Sequence, residues 1–170
     1  MRKLTHLPFY IFLFLLTSVV KAEKPIFSTQ FIKKGDDLIY LKLPQGNVIE
    51  SKALRSMSSQ IQGLSGVKRS ELQKHQGALF IYEKMGPRYF WMPDTYFDLC
   101  IIFMNPELKI LELIKNAPHH PGRQEPPVIF RSKQVIASHV LEIKTSSGFC
   151  QNLKKDQTLR VIKGDHRQKK

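Results

Sequence analysis

The feature of this sequence that most constrains its fold is a series of short apolar segments bounded by turn-forming residues. The longest is Leu99–Met104, and an earlier segment, residues 38–43, stops at the turn cluster Pro44-Gln45-Gly46-Asn47. Short apolar runs between Gly, Pro and Asn clusters are typical of strands rather than helices. Further strand candidates are residues 48–54, 78–82, 89–92, 110–114, 135–143 and 158–162. The pattern predicts a mainly β domain of about eight strands.

Only one segment has helical periodicity. Residues 56–64 place Met57, Ile61 and Leu64 at helical spacing, so these three side chains share one face. Glycines follow at once and end the segment. Later in the chain, Met85-Gly86-Pro87 has the composition of a turn. The sequence therefore predicts one short helix and, at this second site, a reversal of the chain.

The N-terminus has the three parts of a secretory signal. Basic residues precede an apolar stretch at 7–20, and Val20-Lys21-Ala22 offers small residues where a signal peptidase reads. An uncleaved membrane anchor is the alternative, but this stretch rises only about 21 Å as a helix, short of the roughly 30 Å hydrocarbon core. We expect residues 1–22 to be a removed signal peptide and residues 23–163 to be one exported domain, periplasmic or extracellular.

The chain is basic, with a formal net charge of +13 at pH 7. Part of this charge lies in residues 164–170, which we interpret as a frayed basic tail. Such a tail is typical of weak attraction to anionic surfaces, such as an envelope polymer or lipid headgroups. Specific nucleic-acid recognition is not expected, because the sequence has neither a basic helix nor aromatic residues spaced among basic ones.

The two cysteines, Cys100 and Cys150, leave two interpretations open. In an exported protein such a pair can form a disulfide, and closing a loop of about fifty residues would add roughly 4 kcal/mol in the chain-entropy model. Alternatively, Cys100 lies in an apolar strand and is a buried free thiol. A metal site is disfavoured, because the pair lacks Cys-x-x-Cys spacing.

The main candidate for a binding site is Phe90-Trp91-Met92-Pro93-Asp94-Thr95, which holds the only tryptophan beside a carboxylate and a hydroxyl. Glu142 joins it as an acid inside an apolar strand segment. The hypothetical binding residues are therefore Trp91, Asp94, Thr95 and Glu142. Each also has a structural explanation: Trp91 as core or pocket wall, Asp94 and Thr95 as turn residues, and Glu142 as a solvent-facing strand residue.

The sequence contains no complete catalytic set. It lacks G-x-S-x-G, H-E-x-x-H and a phosphate-binding glycine loop. His139 would lie on the strand face opposite Glu142, which disfavours a dyad. The pair His119-His120 lies in a proline-rich loop and is interpreted as solvated rather than metal-binding. We expect no metal and no cofactor.

Five short motifs together resemble the family called domain of unknown function 192. In order, they are Gln62-Gly63-Leu64, Gly77-Ala78-Leu79-Phe80, Phe90-Trp91-Met92-x-Asp94-Thr95, Leu99-x-Ile101-Ile102-Phe103 and Val140-Leu141-Glu142-Ile143. The likeness covers roughly residues 48–161 and rests on the order and spacing of the motifs. It implies a small, mainly β domain with a sandwich or jelly-roll-like barrel, often exported in bacteria. It implies no reaction, because the family's biochemical role is not established.

Three polar positions depart from the family's pattern. Cys100 stands where the resemblance leads us to expect aspartate, Asp94 where asparagine is usual, and His139 where tyrosine is usual. Several polar positions of a family site have therefore changed in this chain.

Two functional hypotheses follow. The favoured one is a non-catalytic, exported module that binds a small ligand, an envelope polymer or a protein partner through the Trp91 block. The alternative is a hydrolase or lyase that uses Asp94 and Glu142 as general acid and base, with Thr95 as an orienting hydroxyl. The second requires the two carboxyl groups to share a cleft.

Overall fold

The computed structural model describes residues 31–33 and 35–163, so the predicted signal peptide and basic tail lie outside the described residues. The α-helix is α1 (Met57–Gln62), and a single 3-10 turn spans Thr145–Ser147. The strands are β1 (Leu38–Lys42), β2 (Val48–Leu54), β3 (Gln76–Arg88), β4 (Leu99–Met104), β5 (Ile110–Ala117), β6 (Val135–Lys144) and β7 (Arg160–Ile162). The predicted mainly β class is confirmed.

The strands form one sheet in the order β5-β4-β6-β3-β2-β1-β7. Neighbouring strands are antiparallel except β2 and β3, which run parallel. The two ends of the sheet approach each other where Leu159 N–H donates to Leu108 O (3.0 Å) and Ile110 N–H donates to Gln157 O (2.8 Å). The sheet is therefore strongly curled, but it does not close into a barrel.

Both faces of the sheet carry an apolar layer. All six side chains of β4 are buried. Because successive side chains of a strand point to opposite faces, β4 supplies both layers. The disulfide-side core is formed mainly by Leu41, Ile49, Leu79, Cys100, Ile102, Leu141, Ile143, Cys150 and Leu153. The cleft-side core is formed mainly by Leu64, Ala78, Phe80, Phe90, Met92, Phe97, Leu99, Ile101, Phe103 and Val140.

Cys100 and Cys150 form a disulfide with a Cα–Cα distance of 6.2 Å, which confirms one of the two interpretations left open by the sequence. Both residues are fully buried in the disulfide-side core. The bond joins β4, the strand next to edge strand β5, to the loop that follows β6, across 50 residues. It therefore holds a segment without regular structure against the sheet.

The turn predicted at Met85-Gly86-Pro87 is wrong, because β3 continues through these residues. The register of β3 against β6 shifts between Ile81 and Gly86. The extra residues are thus absorbed as a bulge, which lets a strand bend without reversing.

The predicted strand at 89–92 is reduced to one isolated bridge between Trp91 and Arg131. Residues 89–92 are held to the segment before β6 by Ser132. Its N–H donates to Phe90 O (2.7 Å), and its Oγ accepts from Phe90 N–H (2.8 Å). The hydrogen bond to the Ser132 side chain takes the place of a backbone hydrogen bond between strands, so residues 89–92 are extended but do not form a regular strand.

The predicted short helix is present as α1. Ser56 caps it, because its Oγ accepts a hydrogen bond from Ser59 N–H (3.2 Å). Met57 and Ile61 are 78% and 79% exposed, whereas Leu64, just beyond the helix, is buried. Within residues 31–33 and 35–163, no helix is long and apolar enough to cross a membrane.

Candidate functional site

A cleft of about 260 Å³ opens above the cleft-side core, between the end of α1 and residues 89–95. Aromatic side chains make up much of its lining: Phe80, Tyr82, Tyr89, Phe90 and Trp91. We call it the aromatic cleft. Phe80 and Phe90 meet edge to face with ring centroids 4.8 Å apart, which fixes the position of the inner wall.

Glu142 lies at the floor of the aromatic cleft. It pairs in the sheet with Ala78 of β3 and Ile101 of β4, both fully buried, and it is itself only 4% exposed. Within the described part of the chain, its carboxyl group has no hydrogen-bond or ion-pair partner. Burial raises the pKa of Glu142 to about 8, so the group is mostly neutral at pH 7. The solvent-facing interpretation of Glu142 is wrong.

Gly63 keeps the space above this carboxyl open. Its φ of +50° favours glycine, and it ends α1. A Cβ at this position would lie 3.0 Å from Phe80 Cζ and 3.7 Å from Glu142 Oε2. Any side chain at residue 63 would therefore crowd the aromatic wall and begin to cover the carboxyl group.

Trp91 is a rim residue rather than a core residue. It is 51% exposed, lines the aromatic cleft, and has the Arg131 guanidinium 5.5 Å from its ring centroid. Of its two structural interpretations, the core one is wrong, because Met92 beside it is buried instead, whereas the pocket-wall one agrees with its place in the cleft lining. Tyr89 is also exposed, so two aromatic rings form the mouth of the cleft.

Thr95 also lines the aromatic cleft. Its hydroxyl donates to Pro93 O (3.2 Å), and its backbone exchanges two hydrogen bonds with His120 (3.0 and 3.1 Å). Thr95 is thus both a turn residue and part of the cleft lining.

Asp94 does not line the aromatic cleft with the other three candidates. Its φ is +51°, and its Oδ2 lies 3.6 Å from the position that a Cβ at Gly66 would occupy. This left-handed backbone turns the carboxyl toward the loop after α1. The structure therefore brings Trp91, Thr95 and Glu142 together and leaves Asp94 outside.

Tyr82 and Gln60 are cleft residues that the sequence analysis missed. Burial raises the pKa of Tyr82, while Arg88, whose guanidinium lies 3.6 Å from the ring centroid, acts in the opposite direction. Strand alternation offered a signal for Tyr82, because it is two residues from Phe80 in β3. Gln60 had none, since its position depends on how α1 packs.

His119 and His120 lie away from the aromatic cleft. The solvated interpretation is wrong for His120, which is buried with its Nε2 2.9 Å from Gln124 O. His119 Nδ1 lies 2.5 Å from Asp98 Oδ1. Burial raises the pKa of Asp98, but hydrogen bonds from His119 outweigh it and the net shift is downward. Among the described residues, no group of three or more His, Cys, Asp or Glu side chains is placed to hold a metal ion.

The fold and the cleft define a small, curled, mainly β domain, which is the class of protein that the sequence motifs predicted. A family model, domain of unknown function 192, described as an uncharacterized ACR, matches residues 41–161. The chain belongs to this family. No curated protein matches the chain at a significant level.

Two solved structures are similar to the chain, each with a TM-score of 0.58 and 21% sequence identity. One, from Sinorhizobium meliloti 1021, is provisionally described as a transcription regulator; the match covers 76% of this chain and 96% of that one. The other is a protein of unknown function from Novosphingobium aromaticivorans DSM 12444, and the match covers 74% of this chain and 84% of that one. At this identity the likeness establishes the fold alone.

The raised pKa of Glu142 makes stability depend on pH. Between about pH 4.5 and pH 8 the unfolded chain ionises this group and the folded chain does not. Protonation of Glu142 in the folded chain therefore adds to the free energy of unfolding, and this share is fully present below about pH 4.5. It is lost as pH rises to about 8, and the loss amounts to roughly 4–5 kcal/mol. In urea unfolding between about pH 5 and pH 8, we expect the wild type to lose stability relative to Glu142→Gln. Parallel pH profiles of the two proteins would contradict the buried, unpartnered state.

Proposed function

We propose that the chain is an exported, non-catalytic module that binds a small ligand in the aromatic cleft. The observation that carries this proposal is the Glu142 carboxyl at the cleft floor, buried and without a partner in the described chain. A carboxyl group in so apolar a place costs stability, whereas an apolar side chain there would extend the cleft-side core. A ligand that donates hydrogen bonds to the Glu142 carboxyl would offset this cost.

Binding is supported over catalysis by the composition of the cleft. A hydrolase or lyase of the kind considered above needs two carboxyl groups beside one substrate, and Asp94 does not line the cleft. The hydroxyl proton of Thr95 is engaged by Pro93 O, so Thr95 is a poor orienting donor. Glu142 therefore has no second carboxyl group beside it within the described cleft lining.

Export is supported by two independent features. Residues 1–22 have the three parts of a secretory signal. The Cys100–Cys150 disulfide is typical of proteins that work in an oxidising compartment. The ligand would then come from the cell envelope or the surrounding medium.

The export proposal predicts the mass of the chain purified from its native host. Cleavage after Ala22 gives a protein that begins at Glu23, and the disulfide removes two hydrogens from that mass. Intact-mass spectrometry without reductant measures both at once. A chain that retains Met1 would contradict export, and two thiols that react with iodoacetamide after denaturation would contradict the disulfide.

The binding proposal predicts that Trp91→Ala separates stability from ligand retention. Because Trp91 is half exposed, we expect a cost of no more than about 1 kcal/mol, compared with roughly 3–5 kcal/mol for a core aromatic. The mature domain is incubated with an envelope extract and examined by native mass spectrometry. We expect a retained small molecule on the wild type and much less of it on Trp91→Ala.

Val161→Ala is the matched control, because Val161 is an exposed apolar residue on edge strand β7. This variant should retain as much ligand as the wild type. A wild-type domain that retains nothing, or a Trp91→Ala variant that retains the same amount, would refute binding in the aromatic cleft.

A further inference from the structure

Several polar side chains around the aromatic cleft donate their hydrogen bonds to backbone carbonyl groups of the chain itself. Gln60 Nε2 donates to Leu54 O (3.1 Å) and Ile81 O (2.9 Å). The hydroxyl groups of Ser65 and Thr95 both donate to Pro93 O, at 3.0 and 3.2 Å. These bonds satisfy backbone carbonyls next to the cleft and leave the oxygen atoms of the same side chains as acceptors.

What remains within the described lining is rich in acceptors. Glu142 supplies the carboxyl group of the lining, which also includes Gln60, Ser65 and Thr95, each with a side-chain oxygen. The remaining side-chain donors are the hydroxyls of Tyr82 and Tyr89, the indole N–H of Trp91 and the second amide N–H of Gln62, together with the O–H of Glu142 while that group is protonated. Gln62, Tyr89 and Trp91 are exposed at the mouth, so once Glu142 ionises Tyr82 is the one side-chain donor left at the described floor.

We propose that the ligand enters the aromatic cleft with a primary ammonium group on a short aliphatic stem, and that this group pairs with Glu142. This inference rests on the proposed binding function and names its ligand class. An ammonium group has three donors and no acceptor, which complements an acceptor-rich floor. Aromatic faces attract cations and also cover the methylene groups of the stem. A cleft of about 260 Å³ has room for such a stem.

Three positive side chains near the cleft oppose a cationic ligand. Arg88 stacks on Tyr82 and Arg131 on Trp91, but neither lines the cleft. Lys144, two residues after Glu142 in β6, donates to the carbonyl oxygens of Arg69 (2.6 Å) and Leu72. Solvent and salt screen the partly exposed arginines, whereas the attraction of Glu142 acts in a desolvated site. We therefore expect Glu142 to decide the sign of the interaction.

Proton release gives this pairing a distinct signature. Glu142 is mostly neutral in the unliganded protein at pH 7 and must ionise to pair with an ammonium group. With a pKa of about 8, binding should release about 0.9 proton per ligand at pH 7 and about 0.1 at pH 9. Affinity should rise about tenfold per pH unit from pH 6 to pH 7 and level off above about pH 8. Tyr82 is the other titratable group at the floor, and its pKa is raised, so it stays neutral over this range.

The test is isothermal titration calorimetry of the mature domain with butylammonium, butanol and butyrate, in two buffers that differ in ionisation enthalpy. We expect butylammonium to bind with proton release and to bind at least tenfold more tightly than the other two. Glu142→Gln, which resembles the neutral form of the side chain, should fold and lose at least tenfold in affinity for butylammonium. Glu112→Gln, the same change at an exposed strand residue, should leave affinity unchanged.

The outcomes separate the ligand class from the binding function. If butanol or butyrate binds as tightly as butylammonium, or if no proton is released at pH 7, the ammonium assignment is overturned while the binding function stands. If butylammonium does not bind at millimolar concentration but the wild type retains an envelope molecule, the ammonium assignment alone is overturned. If none of the three binds and nothing is retained from the extract, both fail.

Discussion

The candidate site depends on one carboxyl group placed on the apolar face of the interior strand β6. The register of β6 against β3 and β4 sets Glu142 between Ala78 and Ile101, where water has little access. Such a group costs free energy in every protonation state, most when ionised. Two apolar layers and a buried disulfide supply the stability that offsets this cost.

The elements around Glu142 keep the carboxyl accessible from one side. Gly63 leaves an opening where any side chain would intrude, and Phe80 and Phe90 hold the inner wall. Cys100, at a position where the family resemblance leads us to expect aspartate, points into the disulfide-side core instead of the cleft. Its change to cysteine therefore alters how the loop after β6 is anchored and leaves the cleft intact.

Much of the fold and three of the four candidate site residues could be predicted from the sequence, whereas the geometry of the site could not. The alternation of apolar and polar residues, together with the turn residues, correctly predicted β1, β2 and β4. The same signals predicted a turn where β3 has a bulge, because the Gly-Pro composition does not show whether a neighbouring strand pairs with the segment. The motif around Trp91 identified the right segment. Asp94 lies outside the cleft because of its positive φ, and Trp91 is at the rim because of how residues 89–92 pair, neither of which is visible in sequence.

The most direct test of this account is a ¹³C NMR titration of the glutamate side-chain carboxyl carbons, with Glu142→Gln used to assign the signal of Glu142. A buried, unpartnered Glu142 predicts one carboxyl resonance with a midpoint near pH 8 that is absent from the variant. A Glu142 resonance that titrates below about pH 6 would mean that the carboxyl is solvated or already partnered, and it would contradict the central claim.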